Sequence, residues 1–466
     1  MTGRVRASAG GASRGAASGG ASAGPGGPGS EERERVVLVG LARSSSELEE
    51  AEASLEELAL LADTAGAEAV ERVLQVRDTP EPATYLGSGK AREVIHLAKA
   101  LHASAVIFDD ELAPAQGRNL EDLAGVNPLA PDQLKIIDRT GLILDVFSQH
   151  AHSAEGKLQV ELAQLTYDLP RLRGWGEVLS RMGGGIGTRR GPGETKLEVD
   201  RRRIRRRLQK LRRDLEDLER TRETKRGRRV RSGVPQISLV GYTNSGKSTL
   251  LNALTGAGVL VEDRLFSTLD PTARRLSLPD GRDVVLTDTV GFVKKLPHTL
   301  VEAFRSTLEE TAGSDLLLHV VDAAQPDPVA HLEAVERVLA EIGAQDLPSM
   351  VVLNKRDLLP AGGAVALAAR FPGSVFISAL TGEGLDDLLS VVADRIRAAH
   401  LVAEFFVPFE RGDIRSQLHD EAEVLDESFE PGGARLQVRT STAVLARLGE
   451  YLVDAPLEGA GAGEDG

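Results

Sequence analysis

Residues 241–249 read Gly241-Tyr242-Thr243-Asn244-Ser245-Gly246-Lys247-Ser248-Thr249, directly after the apolar run Ile237-Ser238-Leu239-Val240 and directly before Leu250-Leu251-Asn252-Ala253-Leu254. An apolar run, a glycine loop and a helix-forming stretch predict strand, loop and helix, which is the setting a phosphate-binding loop requires. Gly241 and Gly246 let the backbone turn tightly, so that several N–H groups face one point where the helix N-terminus also favours a polyanion. Residues 241–248 are therefore the expected phosphate contacts. Lys247 would reach the β- and γ-phosphate oxygens, and the Ser248 hydroxyl would ligate Mg2+.

Three further stretches follow in order, each behind its own apolar run. Residues 283–287 predict a strand ending in Asp288-Thr289-Val290-Gly291. There Asp288 would hold Mg2+ through water and the Gly291 N–H would bond the γ-phosphate. Residues 350–353 lead into Asn354-Lys355-Arg356-Asp357. The Asp357 carboxylate can accept two hydrogen bonds from the N1–H and N2–H2 edge of guanine; adenine has no such edge, and leaving a buried carboxylate unpaired is costly. Residues 375–377 deliver Ser378-Ala379-Leu380, where a backbone N–H near Ala379 can meet guanine O6. Any one of these motifs is weak. Four in register specify a domain that binds and hydrolyses GTP.

The chain has 466 residues, which is about three domains' worth. It has no cysteine, so disulfides and thiolate metal sites are excluded and a reducing, cytoplasmic setting is expected. No apolar stretch reaches membrane-spanning length and the N-terminus lacks a hydrophobic signal core, so no membrane insertion is expected. A net charge of −14 argues against nucleic acid if it is spread evenly, which makes its distribution decisive.

Residues 1–30 are mostly Gly, Ala and Ser and have too little apolar surface to offset ordering entropy, so a disordered tail is expected. Strands are expected at 34–40, 69–76, 105–108 and 132–137, with a helix capped by Ser46 and Glu49 and another over 91–101. Within this α/β domain Gly87-Ser88-Gly89-Lys90 is read as a structural turn or RNA-contacting loop, with a second nucleotide site as the alternative. His150 and His152 lack a third ligand nearby and are read as solvated or helix-terminal.

Leu158, Leu162, Leu165 and Leu169, then Leu197, Ile204, Leu208, Leu211, Leu215 and Leu218, form two heptad seams. The glycines of residues 183–193 between them cannot continue a helix comfortably, so an antiparallel hairpin with a glycine-rich tip follows, its second arm about 33 Å long over 197–218. Residues 196–231 hold 17 Lys or Arg against 7 acids, a local charge of +10 that i,i+4 pairing cannot absorb. Phosphate-backbone binding is the reading, with Lys196, Arg201, Arg205 and Arg212 on the arm and Arg181, Arg189 and Arg190 at the tip as RNA contacts. Trp175 offers a stacking surface or an anchor for the hairpin base. A hairpin satisfied within one chain gives no reason for dimerisation, so a monomer is expected.

The chain resembles the HflX family of ribosome-associated GTPases. The resemblance rests on Tyr85-Leu86-Gly87-Ser88-Gly89-Lys90, on residues 159–169 and 180–198, and on the GTPase motifs with Phe266-Ser267-Thr268-Leu269-Asp270-Pro271-Thr272. It implies binding of GTP and Mg2+, and of the large ribosomal subunit and its rRNA. It further implies separation of ribosomal subunits after stress or stalling, with GTP controlling residence and release. It favours Thr268 over Thr272 as the switch-I residue completing the Mg2+ shell, so Lys247, Thr268 and Gly291 are the groups expected to act on the γ-phosphate. Position 292 is Phe, which cannot orient water by hydrogen bonding. Slow hydrolysis, accelerated by the ribosome ordering the switches, is expected. A monovalent cation such as K+ beside Asn244 is a second route. Two other functions stay open: an RNA-binding switch with little hydrolysis, and an RNA-remodelling ATPase using the N-terminal domain.

The expected fold is multidomain α/β. It comprises a disordered tail at 1–30, an N-terminal α/β domain at 31–150, a basic antiparallel helical hairpin at 151–231 and a P-loop domain with a mainly parallel sheet at 232–400. A small C-terminal α/β domain at 401–455 and an acidic tail at 456–466 complete it.

Overall fold

The structure is a computed structural model and describes residues 33–126, 133–172, 196–231, 234–256, 265, 266, 268, 269, 271–304, 308, 311–398, 401–440 and 442–453. The tails, the hairpin tip with Trp175, Arg181, Arg189 and Arg190, and the switch-I residues Ser267 and Asp270 lie outside the described residues.

A first parallel sheet has the order β2-β1-β3-β4, built from β1 (Glu34–Ala42), β2 (Ala67–Val76), β3 (Ala105–Phe108) and β4 (Lys135–Asp138). β1 is apolar almost without interruption because both of its faces are covered. Val36 and Leu38 pack beneath α1 (Leu48–Thr64) and α4 (Arg139–His150), while Val37 and Val39 meet α2 (Ser88–Ala100) and α3 (Pro114–Ala124). α3 starts with Pro114, is closed by the Gln116 side chain accepting from Ala113 N at 2.9 Å, and ends at Gly125 in the left-handed region. The Ser46–Glu49 capping box does not form. α1 begins at Leu48, and Glu47, the residue just before it, accepts from Arg43 N at 3.2 Å. A short 3-10 turn, Ser45–Glu47, takes the place expected for the cap. The fourth strand starts at Lys135 rather than at 132.

α5 (Ala154–Arg171) and α6 (Lys196–Arg231) form the hairpin, with Leu208 and Leu211 buried along the α6 seam. Arg207 grips Glu161 with both ends of its guanidinium, at 2.6 and 2.5 Å. α6 runs well past the expected arm: its 36 residues span about 54 Å. The opposite side of α5 is the better buried one, since Val160 and Ala163 join the core beneath the first sheet.

A second sheet has the order β10-β9-β8-β5-β7-β6. Its strands are β5 (Gln236–Val240), β6 (Thr272–Ser277), β7 (Asp283–Asp288), β8 (Leu316–Asp322), β9 (Ser349–Asn354) and β10 (Val375–Phe376). Only the edge strand β6 is antiparallel to its neighbour. The helices with it are α7 (Lys247–Thr255), α8 (His298–Ala303), α9 (Pro328–Glu341), α10 (Gly363–Arg370) and α11 (Leu385–Ala398). Leu239, Leu250 and Leu286 pack under α11 on one face; on the other, Val240, Tyr242, Phe292 and α9 belong to the same core as α1, α4 and α5.

The C-terminal sheet is antiparallel, β11-β13-β12, from β11 (Leu401–Pro408), β12 (Glu423–Glu430) and β13 (Gly433–Thr440). α12 (Gly412–Glu421) and α13 (Thr442–Leu448) complete its core through Ile414, Leu418, Val444 and Leu448. The architecture is thus multidomain α/β with a parallel-dominated central sheet.

Candidate functional site

β5 ends at Val240, and the next five residues wrap a point above the N-terminus of α7. Two glycines are required there by close approach. A Cβ on Gly241 would stand 2.2 Å from Val320 O, and one on Gly246, at φ +92°, would stand 2.2 Å from Asn354 Nδ2. Thr243, Asn244, Gly246, Lys247, Ser248, Phe266, Thr268, Thr289 and Gly291 line one cavity. Nine of the residues expected from sequence therefore converge. Lys247 Nζ donates to Tyr242 O at 2.8 Å and Gly241 O at 3.1 Å. Burial pushes its ammonium down to about 8, against the opposing attraction of Asp288.

The metal-binding expectation can be tested on the oxygens. Ser248 Oγ lies 2.6 Å from Asp288 Oδ2 and 2.7 Å from Thr268 Oγ1. Asp288 Oδ1 is buried and has no hydrogen-bond partner among the described residues. Burial pushes the Asp288 carboxyl up, with Lys247, Ser248 and Thr268 opposing. A hard oxygen set with one unused carboxylate oxygen fits Mg2+. Thr272, the other switch-I candidate, instead pairs in β6 across from Asp288 in the strand ladder.

The base-recognition segments meet the phosphate loop through Asn354. Its Nδ2 donates to Ser245 O at 2.8 Å, and its Oδ1 accepts from Ala379 N at 2.9 Å. The Ala379 N–H is thus engaged, and a donor for guanine O6 has to come from a neighbouring peptide. Lys355, in the left-handed region, reaches Asp322 at 2.8 Å. Asp357 is exposed on the turn Arg356–Leu358, and Arg356 pairs with Glu383 at 3.2 Å. Ser378 is buried, accepting from Thr381 N at 3.2 Å, and Leu380 is exposed.

Beyond β7 the chain zips onto the phosphate loop. Phe292 N donates to Gly241 O at 3.2 Å and Thr243 N donates to Phe292 O at 2.7 Å. A Cβ on Gly291 would collide with Thr243 Cγ2 at 2.7 Å, so only glycine permits this approach. Phe292 is fully buried, and Val290 and Leu269 also face the core. Phe266 packs edge-on against Phe147 of α4 at 4.6 Å between centroids, and Leu265 N donates to Thr64 Oγ1 of α1 at 3.3 Å.

Sequence reasoning missed how much of the first sheet's helix layer touches this site. Glu57 of α1 accepts from the Tyr242 hydroxyl. Arg139, at the start of α4, meets Glu57 at 2.7 Å, Asp109 at 3.0 Å and Lys294 O at 2.9 Å. Lys295 reaches Asp109 at 2.6 Å and Asp110 at 2.5 Å. No local pattern announces these partners, which lie up to 186 residues apart.

Gly87-Ser88-Gly89-Lys90 opens α2. Lys90 is held by Glu93 at 2.8 Å and Gly87 N donates to Gln75 Oε1 at 3.3 Å. Gly87 is thus the N-cap residue of α2. His150 lies at the end of its own helix, its Nδ1 2.8 Å from Val146 O, and no cluster of three or more His, Asp or Glu side chains that could hold a metal ion is found among the described residues. On α6, Arg205 and Arg212 are exposed and Arg201 half-buried; the Lys196 side chain lies outside the described residues. No helix among the described residues is long and apolar enough to cross a membrane.

Residues 52–148 match the family described as GTP-binding GTPase N-terminal, residues 150–229 its Middle Region, and residues 236–355 the 50S ribosome-binding GTPase family. The chain is 47% identical over 427 residues to GTPase HflX of Caldanaerobacter subterraneus, covering 91% of this chain and 95% of that one. It is 45% identical over 403 residues to GTPase HflX of Escherichia coli, covering 84% and 91%. Among solved structures, a GTP-binding protein from Sulfolobus solfataricus in complex with GDP is 25% identical, with a TM-score of 0.40 over 78% of this chain and 98% of that one. With identities of this size along nine-tenths of its length, the chain belongs to the HflX family of GTPases.

Proposed function

We propose that this GTPase acts on the large ribosomal subunit and separates or rescues stalled ribosomes, GTP setting when it binds and leaves. The observation that carries the reading is one continuous helix, α6, that bears the +10 segment and ends four residues before β5, the strand feeding the phosphate loop. A cationic rod suited to rRNA phosphates is thereby joined to a nucleotide site. In this reading residues 31–150, 151–231, 232–400 and 401–455 are the working domains, with the hairpin tip directed into RNA.

Within the site, residues 241–248 wrap the phosphates and Asp357 reads guanine. Ser248, Thr268 and Asp288 would hold Mg2+, which neutralises charge on the β- and γ-phosphate oxygens when bound. Lys247 and the Gly291 N–H face the γ-phosphate. Among the described residues no His, Asp or Glu side chain lines the cavity, and Phe292 is buried. Slow turnover, quickened when a partner orders the switches or when K+ sits beside Asn244, follows from that.

The test is GTP turnover with and without large ribosomal subunits, beside sedimentation of intact ribosomes. Stimulated hydrolysis together with GTP-dependent conversion of ribosomes to subunits supports the proposal. Binding to subunits without turnover would instead favour an RNA-binding switch. Neither binding nor stimulation would refute the ribosomal role while leaving the GTP site standing.

A further inference from the structure

A ring of four hydrogen bonds lies behind the phosphate loop. The Tyr242 hydroxyl donates to Glu57 Oε2 and accepts from Lys294 N at 2.5 Å. Glu57 Oε1 accepts from Arg139 Nη1 at 2.7 Å, and the same Nη1 donates to Lys294 O at 2.9 Å. Both backbone polar groups of Lys294 are thus held, one by a side chain of the phosphate loop and one by a side chain of the N-terminal layer.

The ring is buried. The Arg139 side chain is 2% exposed and the Glu57 side chain 11%. The Tyr242 ring stacks on His331 at 4.0 Å with planes 5° apart, which fixes the hydroxyl in direction as well as position. Arg139 is further pinned by Asp109, so the anchor is a buried charge cluster rather than one flexible contact. In a low-dielectric setting such bonds hold geometry tightly, and a lost partner is felt by all members.

Lys294 lies three residues past Gly291, the glycine that closes on the cavity beside Lys247. Between them Phe292 is bridged to the loop by backbone hydrogen bonds on both sides. Gly291 is therefore held at Phe292 by two backbone bonds to the phosphate loop, and the segment continuing from it is tied at Lys294 by the Tyr242 phenol oxygen and by Arg139. We propose that Tyr242 is a positioning residue for hydrolysis: its hydroxyl, through Lys294 and Glu57, sets where the Gly291 N–H stands relative to the γ-phosphate. Its backbone belongs to the phosphate loop; its side chain serves the switch. The proposal needs only the GTPase reaction and is independent of any ribosomal role.

Tyr242→Phe keeps the ring, its stack on His331 and its burial while deleting the oxygen. Steady-state turnover without ribosomes is expected to show kcat lowered about tenfold with KM for GTP within about twofold, because a misplaced transition-state donor costs rate rather than ground-state binding. GDP affinity, which does not use Gly291, is expected to stay unchanged. Glu57→Gln is expected to lower kcat in the same direction, and the double variant to be no worse than the worse single one. If kcat of Tyr242→Phe stays at the parent value while the melting temperature falls, Tyr242 is a packing residue and the proposal is overturned. A rise in KM matching the fall in kcat/KM, or strictly additive effects of the two substitutions, would overturn it equally.

Discussion

Lys247 has two surroundings to satisfy. Its ammonium is buried against the carbonyls of Gly241 and Tyr242, and burial pushes it down to about 8. A polyphosphate beside it favours the charged form, so its pKa rises on binding. GTP binding is therefore expected to take up roughly half a proton at pH 8 and almost none at pH 6.5, with affinity weakening as pH climbs above about 8. Calorimetry in two buffers of different ionisation enthalpy measures the uptake; identical heats in both at pH 8 would show that Lys247 is already charged. Asp357 makes a second residue-scale prediction. Asp357→Asn is expected to weaken GTP binding by at least about tenfold while improving xanthosine triphosphate, because the amide donates where the carboxylate accepted. Unchanged base preference in a competition assay would remove Asp357 from guanine recognition.

At the scale of elements, the nucleotide site was legible because its signals are local. Strand, glycine loop and helix lie within twenty residues, 236–255, and each later motif sits at the end of its own strand. The hairpin was legible in kind but not in length, since α6 continues through residues 219–231, where arginines replace the leucine seam and the single Gly227 does not end the helix before Ser232-Gly233-Val234-Pro235. α1 shows another failure: Ser46 and Glu49 have capping-box spacing, yet Ser45–Glu47 form a 3-10 turn and α1 starts at Leu48 without a side-chain cap. The ring around Lys294 had no signature at all, because Tyr242 and Glu57 are 185 residues apart and each is unremarkable in its own neighbourhood. For α6 the expectation is electrostatic. Replacing Arg201, Arg205 and Arg212 with Ala is expected to weaken binding to large ribosomal subunits and to flatten the dependence of log K on log salt by about 2–3, leaving GTP affinity intact. An unaltered slope in a salt titration would mean that these side chains are only a solvated face.

At the scale of the molecule, one apolar core joins the N-terminal sheet to the GTPase sheet. Phe147 is its keystone, edge-on to both Phe266 at 4.6 Å and Phe304 at 5.1 Å. Phe147→Ala is expected to destabilise the protein by about 3–5 kcal/mol, since a buried aromatic side chain is lost and the surrounding helices cannot fully collapse. Denaturant unfolding followed by tryptophan-independent probes on each sheet is expected to separate into two transitions in this variant where the parent shows one. A single transition with a small shift would mean that the two sheets are joined chiefly by the polar cluster of Arg139, Glu57, Asp109 and Lys295.

An α-helix resists bending, so α6 works mechanically as a rod. It is gripped by α5 through Arg207 on Glu161, one end leads toward β5, and the other begins at Lys196. Tilting such a rod by about 5° about that grip would displace each end by roughly 2–3 Å in opposite directions, given a length of about 54 Å. A push delivered at the far end therefore arrives, reversed in sense, at the root of the strand that carries the phosphate loop.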